Sequence, residues 1–177
     1  MVDRRSMPLG KAGSVTEQQR LFLVQARSNF AVFELFRGNA NWPVCHGLHY
    51  LQMSSELLGK AYAWRHSRPG KTHRALVSFL QRLSHDRRAQ QELGFEGQNA
   101  NWMQVIRKSI PLAQRVEDLA PSLDRDGPNP EYPWPSAFPT VTPVEHEFDL
   151  WTDLNTPAGR QFLTLLSRLF QVADAYL

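Results

Sequence analysis

The sequence predicts an all-α protein: an antiparallel helical bundle of about five helices, with a proline-rich strap before the last one. Three observations carry this. Apolar residues recur at three- and four-residue intervals along most of the 177-residue chain, which is the spacing of one helix face. No segment alternates apolar and polar residues as a half-buried strand does. The 42% hydrophobic content, with five Trp, four Tyr and ten Phe, is enough for a folded core rather than a disordered chain.

Residues 1–15 hold Met7-Pro8, Gly10 and Gly13 with little periodicity, and read as a flexible arm ahead of one helical domain over 16–177. Thr16 followed by Glu17, Gln18 and Gln19 is a helix start, its hydroxyl capping free amides. The first helix, 16–37, carries Leu21, Val24, Phe30, Phe33, Leu35 and Phe36, and stops before Gly38-Asn39. A second opens at Trp42-Pro43, since proline is tolerated in a first turn, and runs over 43–66. Ser67-Arg68-Pro69-Gly70 is a turn by composition. A third helix, 73–93, uses Leu76, Val77, Phe79, Leu80 and Leu83; residues 84–98 continue it or add a short helix ending near Gly94 or Gly97. Asn101 caps a fourth, 100–119, in which Pro111 is expected to kink or split the run. Thr156-Pro157 opens the last, 156–176.

Seven of the twelve prolines fall in 120–143, which excludes a regular helix or a central strand there. Tyr132, Trp134, Phe138, Phe148 and Trp151 give the segment 120–155 an apolar content unusual for a linker. It is therefore expected as an ordered strap with its aromatics inserted between helices, Trp134 alternatively serving as an exposed stacking platform. Asn39-Ala40-Asn41-Trp42 recurs as Asn99-Ala100-Asn101-Trp102, but nothing else aligns around the copies. They read as helix entries with a tucked tryptophan, not as a repeat architecture.

Net charge is +3, but the charges are segregated. Residues 60–90 hold eight basic side chains against the single acid Asp86, and residues 117–153 hold nine acids against Arg125 alone. The basic stretch can attract phosphate; equally, the two stretches can face each other within the fold or across a dimer. No apolar run is long enough to span a membrane, no signal peptide is visible, and the lone Cys45 excludes an intrachain disulfide and fits a reducing compartment. A cytoplasmic protein is expected.

Chemical motifs are few. Gly70-Lys71-Thr72 lacks both the earlier glycine, Arg65 standing there, and the preceding strand of a phosphate-binding loop. His46 and His49 have no third or fourth ligand at diagnostic spacing. Cys45 reads as a buried small side chain, and no Gly-x-Ser-x-Gly nucleophile elbow is present.

The most informative stretch is 45–83. It places Glu56, Leu57, Leu58, Lys60 and Ala61 on one helix, then Lys71-Thr72-His73, then Leu76, Phe79 and Leu80; Tyr132-Pro133 follows ahead of the last helix. In that order these residues resemble the HEPN superfamily of small helical nucleotide- and RNA-associated domains. The resemblance implies a HEPN-like bundle, a two-fold homodimer and a prokaryotic toxin or defence setting. Many members are metal-independent ribonucleases whose motif is an arginine, a short polar gap and a histidine, matched here by Arg68 and His73. In that chemistry a 2′-hydroxyl attacks the adjacent phosphate, the histidine moves protons and the arginine steadies developing charge. Lys60, Lys71 and Arg74 are the candidate ligands for a phosphate-bearing RNA or nucleotide, and no metal or cofactor is called for. Two departures stand beside this. The pair lies between the second and third helices rather than at a later one, and Glu131 occupies a position where the family often has arginine. The second reading is a noncatalytic helical module that dimerises or docks a partner such as a nucleotidyltransferase. His73 is then a polar helix-entry residue, and Glu56–Lys60 an ordinary surface ion pair.

Overall fold

A computed structural model describes residues 16–65, 73–120, 127–135 and 140–177; the arm expected over 1–15 lies outside them. The described residues are all-α, with helices α1 (Glu17–Arg37), α2 (Val44–Ala63), α3 (Leu76–Leu83), α4 (Arg87–Glu92), α5 (Asn99–Asp118), α6 (Asp149–Leu154), α7 (Pro157–Gln171) and α8 (Ala173–Tyr176). Among them no helix is long and apolar enough to cross a membrane.

The starts written in short-range sequence form as expected. Thr16 Oγ1 accepts from the Gln19 N–H at 3.2 Å, and the Gln19 side chain accepts from the Thr16 N–H at 2.9 Å, a reciprocal box that satisfies two otherwise free donors of α1. Thr156 accepts from the Gly159 N–H at 3.1 Å with Pro157 in the first turn of α7. From these starts α1 turns Leu23, Ala26, Phe30 and Phe33 inward, and α7 turns Phe162, Leu163, Leu165, Leu166, Leu169 and Phe170 inward. Between them α2 packs against α1, α3 and α5, burying Cys45, Leu48, Leu51, Leu58, Ala61 and Tyr62.

Four expectations are corrected. The extra helix offered over 84–98 forms as α4, because Asp86 accepts from the Ala89 N–H at 3.1 Å and starts it, so the third helix ends as α3 at Leu83 rather than near 93. It also begins at Leu76 and not at His73. Pro111 does not split α5: Pro111 and Arg107 are both exposed, so the carbonyl that loses its donor is on the side where water can replace it. Asn101 does not cap α5, which has already begun at Asn99. The last helix breaks at Val172 into α7 and α8. The two Asn-Ala-Asn-Trp segments also part company. Trp102 is fully buried and its Nε1 donates to the Ser84 carbonyl at 3.1 Å, whereas Trp42 is largely exposed and packs on Phe36.

The described part of the proline-rich segment is an ordered strap, but it contains the helix α6, which was not expected. Trp134 and Val141 exchange backbone hydrogen bonds of 3.1 Å as an isolated antiparallel bridge. Trp134 and Phe148 are buried, with the His146 ring edge-on to both at 5.0 and 4.7 Å, so Trp134 is an anchor and not an exposed platform. A Cβ at Gly127 would fall 1.9 Å from the Trp134 ring; only glycine lets the chain cross there. Tyr132 is exposed and anchors nothing, and Phe138 lies outside the described residues. Trp134→Ala should lower the unfolding free energy by about 3–5 kcal/mol in urea titration and speed proteolysis within 127–148. An unchanged midpoint would mean that the strap is not held by this ring.

Candidate functional site

Four-residue spacing places Gln52, Glu56 and Lys60 in one row along α2, and that row is inside the protein. Glu56 is 4% exposed. Its Oε2 accepts from Gln52 Nε2 at 3.0 Å and lies 2.9 Å from Nδ1 of His73, while Oε1 pairs with Lys60 Nζ. The surface ion pair expected from sequence is therefore a buried one. His73 reaches this row because α2 has no side chain at Gly59. A Cβ there would sit 2.6 Å from the Ala75 carbonyl oxygen, so glycine alone allows the segment before α3 to lie directly on α2.

The His73 side chain is 55% exposed. An ionised carboxylate can only accept, so Nδ1 carries a proton and donates to Glu56, and Nε2 is the ring nitrogen turned away from that contact. Among the described residues Nε2 has no hydrogen-bond partner. Burial works against the charge on Glu56, but the hydrogen bonds from Lys60, His73 and Gln52 outweigh it and hold its pKa below the ordinary carboxylate value.

A second buried carboxylate grips the same turn from the other side. No side chain of its own caps α3; instead Glu117 of α5 accepts from the Val77 N–H at 2.9 Å, placing an acid at a helix N-terminus where the macrodipole favours it. Burial nevertheless dominates and pushes its pKa up, opposed in part by the Val77 and Leu76 amides. Toward the far end of α2, Tyr62 Oη and Arg65 donate to Asp86 at 2.9 and 2.6 Å. Burial raises the Tyr62 phenol, and Asp86 adds to this.

Of the candidates named from sequence, His73 and Lys60 converge on Glu56. Arg74 faces Asp118 at 3.7 Å on an exposed surface. Arg68 and Lys71 lie outside the described residues. The Lys60 ammonium is neutralised by Glu56, so it is not a free phosphate ligand as expected; its work is to keep Glu56 ionised. Sequence reasoning missed Gln52, Glu117 and Asp86. For Gln52 the signal was present, a polar row Gln52-Glu56-Lys60 at four-residue spacing on one helix. Glu117 meets α3 across 40 residues of chain and left none. The two charge-segregated stretches meet at Arg74–Asp118, while Arg82, Arg87 and Arg88 remain exposed. Among the described residues no group of three His, Cys, Asp or Glu is placed to hold a metal ion. Comparison with protein-family models, curated proteins and solved structures finds no match to this chain.

The two carboxylates should give opposite pH signatures. Glu56 has a depressed pKa, so its contribution is present above the unfolded carboxyl value, about 4.3, and is lost as pH falls through the folded value. Glu117 has a raised pKa, so its contribution is complete below about 4.3 and is lost as pH rises through the folded value. Urea titrations from about pH 3 to pH 7 should thus find Glu56→Gln increasingly destabilised relative to wild type as pH rises, and Glu117→Gln progressively less so. Parallel curves for the two variants would contradict the assignment. Gly59→Ala should cost about 1–3 kcal/mol and detach His73 from Glu56, visible as a change in the His73 imidazole resonances.

Proposed function

We propose that the protein is a HEPN-like, metal-independent ribonuclease of the cytoplasm, suited to the prokaryotic toxin or defence setting its family resemblance implies. His73 is the proton-transfer group and Glu56 its positioning carboxylate. The observation that carries the reading is the 2.9 Å contact between Nδ1 of a half-exposed His73 and the buried Glu56. A buried carboxylate fixes the tautomer and ring orientation and stabilises the imidazolium formed when Nε2 takes a proton. In the reaction the substrate 2′-oxygen forms a bond to the adjacent phosphorus and gives its proton to Nε2. The bond from phosphorus to the 5′-oxygen breaks, that oxygen takes a proton from water, and the hydroxide left is neutralised by the proton that Nε2 gives up, which restores the neutral imidazole. The products are a 2′,3′-cyclic phosphate and a 5′-hydroxyl, and no metal or redox partner enters the balance. Arg68, which matches the family arginine in its spacing to the histidine, neutralises the phosphorane charge, while exposed Arg74, Arg82, Arg87 and Arg88 supply positive charge for the backbone.

One feature supports the noncatalytic reading instead: Gln52, Lys60 and His73 together occupy both oxygens of Glu56, as a purely structural latch on the α3 entry would require. RNA cleavage in the presence of a chelator separates the two. For the ribonuclease, His73→Ala lowers the rate by a factor of about 10²–10⁴ with RNA affinity and fold retained. Glu56→Gln lowers kcat more than it changes KM and shifts the acidic limb of the pH–rate profile. Cleavage products ending in 3′-hydroxyl groups, or equal rates for wild type and His73→Ala, would overturn the catalytic assignment.

A further inference from the structure

The apolar residues of the second and last helices are largely interior, so a two-fold contact would use another surface. The candidate is the outer face of α1. Opposite its buried row, Leu21, Val24, Ser28, Ala31 and Leu35 are all exposed, with Leu21 at 48%, Val24 at 53% and Leu35 at 64%. Their spacing alternates three and four residues, the a/d pattern of a helix that pairs with another helix.

We propose that α1 pairs with α1 of a second copy as an antiparallel two-helix contact, and the sequence of this face fixes orientation and register. In an antiparallel pair each a position meets a d position, and g positions lie beside g positions. Setting Val24 against Leu35 of the second copy puts Ser28 against the second copy's Ala31 and Leu21 over its Gly38. Large side chains then fill both ends, and the small central pair lets the helices approach closely. The same register, with no further adjustment, places Arg20 beside Glu34 of the second copy at both ends.

Each of these charges already carries a neighbour of opposite sign, Glu17 on Arg20 and Arg37 on Glu34. Every end thus becomes an alternating row Glu17–Arg20–Glu34–Arg37 across the two copies. The one like-charged meeting, Arg27 with itself, is relieved because the Arg27 guanidinium donates to the Phe170 carbonyl and to Asp174 at 2.7 and 2.8 Å. A parallel pair would instead set g against e positions, bringing Arg20 to Gln25 with no charge partner. Charge complementarity therefore selects a second copy of this chain, antiparallel, as the occupant. This surface does not depend on the ribonuclease reading.

The test is sedimentation equilibrium on the full chain with a charge-swap series. Wild type is expected at the mass of two chains at micromolar concentration. Val24→Glu and Leu35→Glu, both at exposed positions, should each give one-chain mass with an unchanged helical spectrum and a thermal midpoint that no longer depends on protein concentration. Arg20→Glu and Glu34→Arg should each weaken the dimer several-fold, and together restore it, since the swap re-forms both pairs. A one-chain mass for wild type overturns the proposal, whether the seam is then covered by this chain's own residues or by a lipid surface. So does a dimer that survives Val24→Glu and Leu35→Glu, or charge reversals that do not rescue one another.

Discussion

Removing the Glu56 carboxylate from water obliges the protein to match its oxygens, and the neighbourhood of α2 is organised by that demand. Gln52 and Lys60 come from the same helix at no topological cost. The third partner, His73, is available only because Gly59 lets the segment before α3 lie against the α2 backbone. Once that segment is pinned, α3 begins where it does, and its unsatisfied amide at Val77 is met by Glu117 of α5. A single buried charge thus couples α2, α3 and α5; truncating Glu56 leaves the largely buried Lys60 ammonium without its carboxylate, and truncating Lys60 leaves Glu56 to Gln52 and His73 alone, and breaking a buried pair in this way costs about 3–5 kcal/mol where it has been measured.

Two carboxylates holding one turn with oppositely displaced pKa values amount to a division of labour. Glu56 has Lys60, and can remain a charged hydrogen-bond acceptor for His73 over the pH range in which an imidazole titrates. Glu117 has only amide donors and the more distant Arg74 charge, which do not offset its burial. Placing a charged acceptor behind a half-exposed imidazole while using a less easily ionised one for a helix cap is a coherent arrangement for proton transfer. It also fits the pattern, common at reactive sites, of neighbouring titratable groups pushed apart by their surroundings.

How much was legible in the sequence follows the distance over which each decision is made. Thr16 with Gln19, and Thr156 with Pro157, are three-residue devices and were readable. The all-α class was readable because amphipathic spacing is repeated on every long helix. Asp86 as a cap was within reach, since an acid alone in a basic stretch, three residues before Ala89, is a local signal; it was overlooked because the apolar period continues through it. The power of Pro111 to split α5 was overestimated because propensity describes a helix in isolation, whereas here the affected turn is on the exposed side. The α3 start, the burial of Glu56 and the role of Glu117 depend on backbone approach between elements far apart in sequence, and no short-range pattern encodes them. The helix α6 was lost inside a segment judged by its prolines, none of which falls in 149–154.

An apolar count alone does not locate a contact surface, for a physical reason. The helices richest in leucine and phenylalanine are rich because they are enclosed, and an enclosed helix has no surface to offer. α1 packs on α2, and its inner row of Leu23, Ala26, Phe30 and Phe33 is spent inside the fold, Phe30 also on Phe170 and Phe33 on Trp151. Leu21, Val24 and Leu35 have nothing to cover within the described fold. Isolated exposed leucines are ordinary on any protein surface, so exposure alone decides nothing. What distinguishes this face is that one antiparallel register satisfies its apolar spacing and its flanking charges together. Two constraints from different physics, shape and charge, agree on the same alignment.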